Sequence, residues 1–75
     1  MRKPDGLPKH LHAAFDWVNA GNEIDELRDM PEHDALDYAR EAAEASYEYG
    51  DDDIESADVL ELYDWLRARK ARRAA

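Results

Sequence analysis

His12 and Asp16 stand four residues apart, one turn of a helix, at a spacing where two side chains can meet a single metal ion. His10 or His33 would have to supply a third ligand. His10 and His12 fall on different sides of one helix, however, and the chain contains neither HExxH nor HxxxH. The stretch "DDDIES" offers oxygen ligands of the kind calcium prefers. An EF-hand loop starting at Asp51 would place Asp51, Asp53 and Glu55 at its first, third and fifth positions. It would also place Ser56 where the loop needs glycine and Leu62 where it needs the bidentate glutamate, so the stretch reads as acidic helix capping. Paired carboxylates can do acid/base work only in a cleft that drives their pKa values apart, and 75 residues leave little room for one. With no cysteine, no threonine, two serines and no glycine-rich phosphate loop, nucleophilic catalysis and nucleotide binding also lack parts. The expectation is a chain without metal or cofactor that is not an enzyme.

The carboxylates form a second pattern. Asp34, Asp37, Glu41, Glu44 and Glu48 follow one another at steps of three, four, three and four, which keeps them on one face of a helix. Over 14 residues such a row is roughly 21 Å long, with carboxylates about 5 Å apart. Phosphates along one DNA strand advance about 3.4 Å per step, so the row is sparser than a phosphate backbone but of the same order. Glu55, Asp58 and Glu61, with Asp64, add a row at steps of three that drifts around its helix. Solvated helices commonly mix charge signs, whereas Asp37–Glu41 and Glu44–Glu48 are like-charge pairs that each cost about 0.2–0.5 kcal/mol. The row is therefore either a solvated face or the surface with which the protein works.

Charge is segregated along the whole chain. Residues 16–64 hold 18 Asp/Glu against Arg28 and Arg40, a formal −16, while residues 1–15 carry +2 and residues 65–75 carry +5. An acidic block repels nucleic acid and anionic membrane and draws basic partners, so direct nucleic-acid binding and membrane association are not expected. No apolar run approaches the roughly 20 residues needed to span a bilayer, and "MRKPDGLPKH" is not followed by the apolar stretch of a signal peptide. The absence of cysteine fits the cytoplasm. Hydrophobic residues make up 44%, including two Trp, four Tyr and one Phe, which suffices for one small core over residues 1–75, with 1–6 and 71–75 fraying.

The elements that must carry these side chains follow from spacing. "GLPKHLHAAFDWVNAG" is a helix opened by Pro8 and stopped by a left-handed Gly21, with Leu7, Leu11, Ala14, Phe15 and Val18 on one stripe and Trp17 on its flank. Asn22 then caps a short segment, "EIDELRD", facing Ile24 and Leu27 inward. Pro31 opens a third helix at its first position, running to about Tyr49 and ending at Gly50. Ala35, Leu36, Ala39, Ala42, Ala43 and Tyr47 form its inner side, opposite the acidic row. A fourth helix starts at Asp53 or Ser56, with Asp52 and Glu55 spaced as a capping box and Val59, Leu62, Tyr63 and Leu66 inside. Arg67, Arg69, Lys70, Arg72 and Arg73 suit its carboxyl end. No strand-period run or internal repeat occurs, so the fold class is all-α, a compact bundle of three main helices plus one short connecting helix.

Tyr38, Tyr49 and Trp65 lie at the edges of these stripes, where aromatic side chains either anchor interfaces or close a core; Trp17 and Trp65 are assigned to the core. In kind, a very short, acidic, cysteine-free helical chain resembles the phage-encoded anti-CRISPR and anti-restriction proteins. Those groups share no sequence signature, so no residue role carries over. The resemblance implies an inhibitor that acts as a DNA mimic on a basic nucleic-acid-handling protein such as a CRISPR effector. Asp34, Asp37, Glu41, Glu44 and Glu48 would be its contacts and Glu55, Asp58 and Glu61 secondary ones. The alternative is a helical assembly module, a subunit or dimerising adaptor, that uses an apolar and aromatic patch.

Overall fold

The computed structural model describes residues 2–49 and 54–74, with the backbone alone for Tyr49 and residues 71–74. A 3₁₀ turn, Lys9–Leu11, leads into α1 (His12–Ala20); α2 (Ile24–Asp29), α3 (Glu32–Tyr49) and α4 (Ser56–Ala74) follow. The fold is all-α, three main helices and one short one, and no strand occurs among the described residues.

The first stripe packs as its spacing requires: Leu7, Leu11, Ala14, Phe15 and Val18 are all buried. The end of α1 differs from expectation. Gly21 has an ordinary φ of −91°, and it is Asn22 that takes the left-handed conformation, at φ 57°. The Glu23 N–H donates to the Val18 carbonyl at 3.2 Å and the Asn22 N–H to the Asn19 carbonyl at 2.9 Å, the paired bonds of a Schellman motif. Asparagine tolerates this backbone better than other non-glycine residues. Asn22 therefore ends α1 and does not cap α2, whose N-cap is Glu23.

Met30 is extended, as a residue before proline must be, and α3 begins at Glu32. The Pro31 carbonyl accepts from the Ala35 N–H at 3.0 Å, so Pro31 sits one place ahead of the first helical position. Ala35, Ala39, Ala42 and Ser46, at steps of four, three and four, form the buried face. Two residues assigned inward lie outside: Leu36 is 39% exposed and Tyr47 is 82% exposed. The helix turns its small residues inward because α4 lies against them, and that phase swings Leu36 and Tyr47 about 100° away.

Ser46, a core position the apolar pattern does not reveal, fixes the return of the chain. Its hydroxyl donates to the Ala43 carbonyl at 2.9 Å and accepts from the Ile54 N–H at 3.1 Å. Ile54 is buried and brings the chain to α4, in which the Asp58 and Val59 N–H groups donate to the Glu55 carbonyl. The expected stop at Gly50 and the Asp52 half of the capping box lie outside the described residues. Along α4, Val59, Leu62, Tyr63 and Leu66 are buried as their spacing requires. The Tyr63 hydroxyl donates to the Met30 carbonyl at 2.5 Å and accepts from Arg67 at 2.7 Å, tying α4 to the junction between α2 and α3. Trp17 and Trp65, assigned to the core, are half-buried and pack against its edge. No described helix is long and apolar enough to cross a membrane.

Candidate functional site

The phase of α3 decides what its outer surface presents. With Ala35, Ala39, Ala42 and Ser46 inward, Asp34, Asp37, Glu41, Glu44 and Glu48 point outward, and all five are exposed. Asp34 is paired with the neighbouring His33 at 3.1 Å. Among the described residues no ion pair reaches Asp37, Glu41, Glu44 or Glu48, although Arg40 lies one turn before Glu44.

Three of the molecule's cations are paired away from the row. Lys3 pairs with Asp16 at 3.1 Å; Arg28 with Asp25 at 3.1 Å and Asp29 at 3.2 Å; Lys70 with Asp29 at 2.8 Å. Hydrogen bonds from Arg28 and then from Lys70 hold the Asp29 carboxyl down at about 2. These contacts surround a cleft of about 570 Å³ whose walls include Arg2, Lys3, Arg28, Arg69 and Lys70. Cations from the amino-terminal segment, α2 and the end of α4 meet there only through folding, and Asp16, Asp25 and Asp29 neutralise much of their charge. Sequence spacing carries no signal for this convergence.

The carboxylates of α4 are placed less uniformly, with Asp64 exposed. Glu61 is bound by His10, Asp58 is half-buried, and Glu55 is exposed at the start of the helix, where its backbone carbonyl takes the first turn's N–H groups. The remaining histidine, His12, places Nε2 3.1 Å from the Leu7 carbonyl. Among the described residues no group of three or more His, Asp or Glu side chains is arranged to hold a metal ion.

The aromatic candidates divide. Trp65 is half-buried with the Arg69 guanidinium 5.4 Å above its ring. The Tyr49 side chain lies outside the described residues. Tyr38 is half-buried, and burial, followed by a hydrogen bond donated to Glu23 and the charges of Glu23 and Glu26, raises the pKa of its hydroxyl. Beside Tyr38 an open groove of about 450 Å³ lies between α1 and α3, lined by Trp17, Tyr38, Ala20, Gly21, Ala42 and Ala45. Glu23 and Glu41 stand at its rim, so the groove adjoins the acidic row through Glu41. Tyr47, which the apolar spacing of α3 does not distinguish from its inner side, is exposed and lies across the row from Tyr38. The exposed row thus runs between a half-buried aromatic groove and an exposed tyrosine. Comparison with protein-family models, with curated proteins and with solved structures finds no match, so this surface is interpreted from its own chemistry.

Proposed function

We propose that this chain is a non-enzymatic inhibitor or regulator that binds a basic, nucleic-acid-handling protein through the outer face of α3, occupying by charge mimicry the site that would receive a phosphate backbone. A CRISPR effector, or another machine with a cationic nucleic-acid channel, has the required chemistry. The observation that supports this reading is the partition of charge. Lys3, Arg28 and Lys70 are paired with Asp16, Asp25 and Asp29, while Asp37, Glu41, Glu44 and Glu48 stand exposed without an ion pair among the described residues, Arg40 being the one Lys or Arg on their helix. A row roughly 21 Å long attracts a basic channel over a Debye length and speeds encounter at low salt.

The test is a capture experiment with the intact chain beside a variant in which Asp37, Glu41, Glu44 and Glu48 are all changed to Lys, with circular dichroism showing that the variant is helical. The expected result is a nucleic-acid-binding protein retained by the intact chain alone, released by excess DNA duplex and by raised salt. Equal retention of the same partner by both forms makes the row a solvated face and rejects the proposal. The alternative, an assembly module with an apolar patch, draws support from the exposure of Leu36 and Tyr47. It requires a dimer or a partner complex that survives charge reversal of the row and is lost on Tyr47→Ser.

A further inference from the structure

We infer that the groove between α1 and α3 seats an arginine side chain of the basic partner, its guanidinium between Trp17 and Tyr38 and against Glu23 and Glu41. The inference rests on the reading of α3 as a protein-binding face and supplies what a row of carboxylates lacks, a feature that fixes register. A linear row attracts any cationic surface and slides along it, whereas a hollow lined by two rings and two carboxylates favours a cation with a flat face at that one place.

Three observations select the occupant. The lining combines two aromatic rings with three alanines and Gly21, which suits an aliphatic stem ending in a flat group. The rim carries carboxylates, and no basic side chain lines it. The Glu23 carboxylate lies over Gly21, where a β-carbon would stand 3.4 Å from Oε1, and its charge is near enough to Tyr38 to help keep the hydroxyl protonated. An apolar occupant would bury these carboxylates without compensation, and an anion would be repelled. Lysine satisfies the charge but lacks the planar fork that stacks on a ring and bridges two oxygens. The protein itself uses the pairing elsewhere: Arg67 lies 5.2 Å from the Tyr63 ring centroid and Arg69 lies 5.4 Å from that of Trp65. Among the described residues, Trp17 and Tyr38 carry no guanidinium, although theirs are the rings with carboxylates at the rim.

The test is a titration of the ¹⁵N-labelled full chain with a nine-residue Gly/Ser peptide bearing one central arginine, beside the same peptide with citrulline, which keeps the shape and loses the charge. The arginine peptide is expected to shift the Trp17 indole N–H and the amides of Gly21, Ala42 and Ala45. Binding should weaken about fivefold with citrulline, and comparably in Glu23→Gln. Ala45→Phe, which fills the groove and leaves every carboxylate in place, should abolish these shifts; circular dichroism establishes that both variants are folded. Equal binding of the citrulline and arginine peptides overturns the inference, as do arginine-induced shifts confined to Asp37, Glu44 and Glu48. The second result leaves charge mimicry intact. Conversely, groove shifts with arginine alongside equal retention of the same partner by a chain reversed at Asp37, Glu44 and Glu48 alone, with Glu41 kept, uphold this inference and reject that proposal.

Discussion

Changing Glu41 to Lys should make the free protein more stable while weakening its binding to a basic partner. Glu41 faces Asp37 one turn before it and Glu44 one turn after it, both exposed and neither ion-paired among the described residues. Each like-charge contact costs about 0.2–0.5 kcal/mol, and inverting one partner removes that cost and adds an attraction of similar size. Two contacts therefore yield about 1–2 kcal/mol, the helix propensities of Glu and Lys being nearly equal. For a domain of this size that raises the melting temperature by roughly 5–15 °C. The assay is thermal unfolding by circular dichroism at 20 mM and at 1 M NaCl, with the intact chain alongside. Between these salts the Debye length falls to about 3 Å, so most of the gain should vanish at the higher one. A loss of stability at low salt, or a gain indifferent to salt, would refute the premise that the row repels itself and is held exposed for a reason other than stability.

The other predictions address different parts of the fold. Ser46→Ala leaves the buried Ile54 N–H without its acceptor and should cost about 1–3 kcal/mol; an unchanged urea midpoint would show that the hydroxyl does not hold the return to α4. Asp29, depressed to about 2 by Arg28 and Lys70, contributes stability that is complete above its ordinary value near 3.8 and is lost as pH falls from there through 2. Asp29→Asn should therefore lower the melting temperature at pH 6 and flatten its fall between pH 4 and 2, and parallel curves for the two proteins would contradict the pairing. The raised Tyr38 pKa makes it a late tyrosine to ionise, and stability should fall as pH rises above 10, where the unfolded chain ionises first. Tyr38→Phe should remove one late-titrating phenol from the absorbance titration and reduce that alkaline loss.

Spacing alone determined that this chain makes helices and which aliphatic residues and phenylalanine of the first and last of them enter the core. Leu7, Leu11, Phe15, Val18, Val59, Leu62 and Leu66 recur at helical intervals, and a helix can bury only the stripe on which they lie. The acidic row was equally legible, because its steps of three and four hold five carboxylates on one face whatever the surroundings. What spacing left open was the phase of α3. Its inner side is made of alanines that pack with little directional preference, so an apolar arc from Ala42 and Ala35 round to Leu36 and Tyr47 fitted the pattern. Contact with α4, and the bond from Ile54 to Ser46, chose the narrower face and put Leu36 and Tyr47 outside. The end of α1 escaped for a related reason: Gly21 and Asn22 both tolerate a left-handed backbone, and the turn that leaves Val18 and Ile24 buried uses Asn22. The groove of Trp17 and Tyr38, the cation cleft and the pairing of His10 with Glu61 were not legible at all. Each joins segments far apart in the chain, and only the packing of α1, α2 and α4 against one another and against α3 brings their charges and rings within reach.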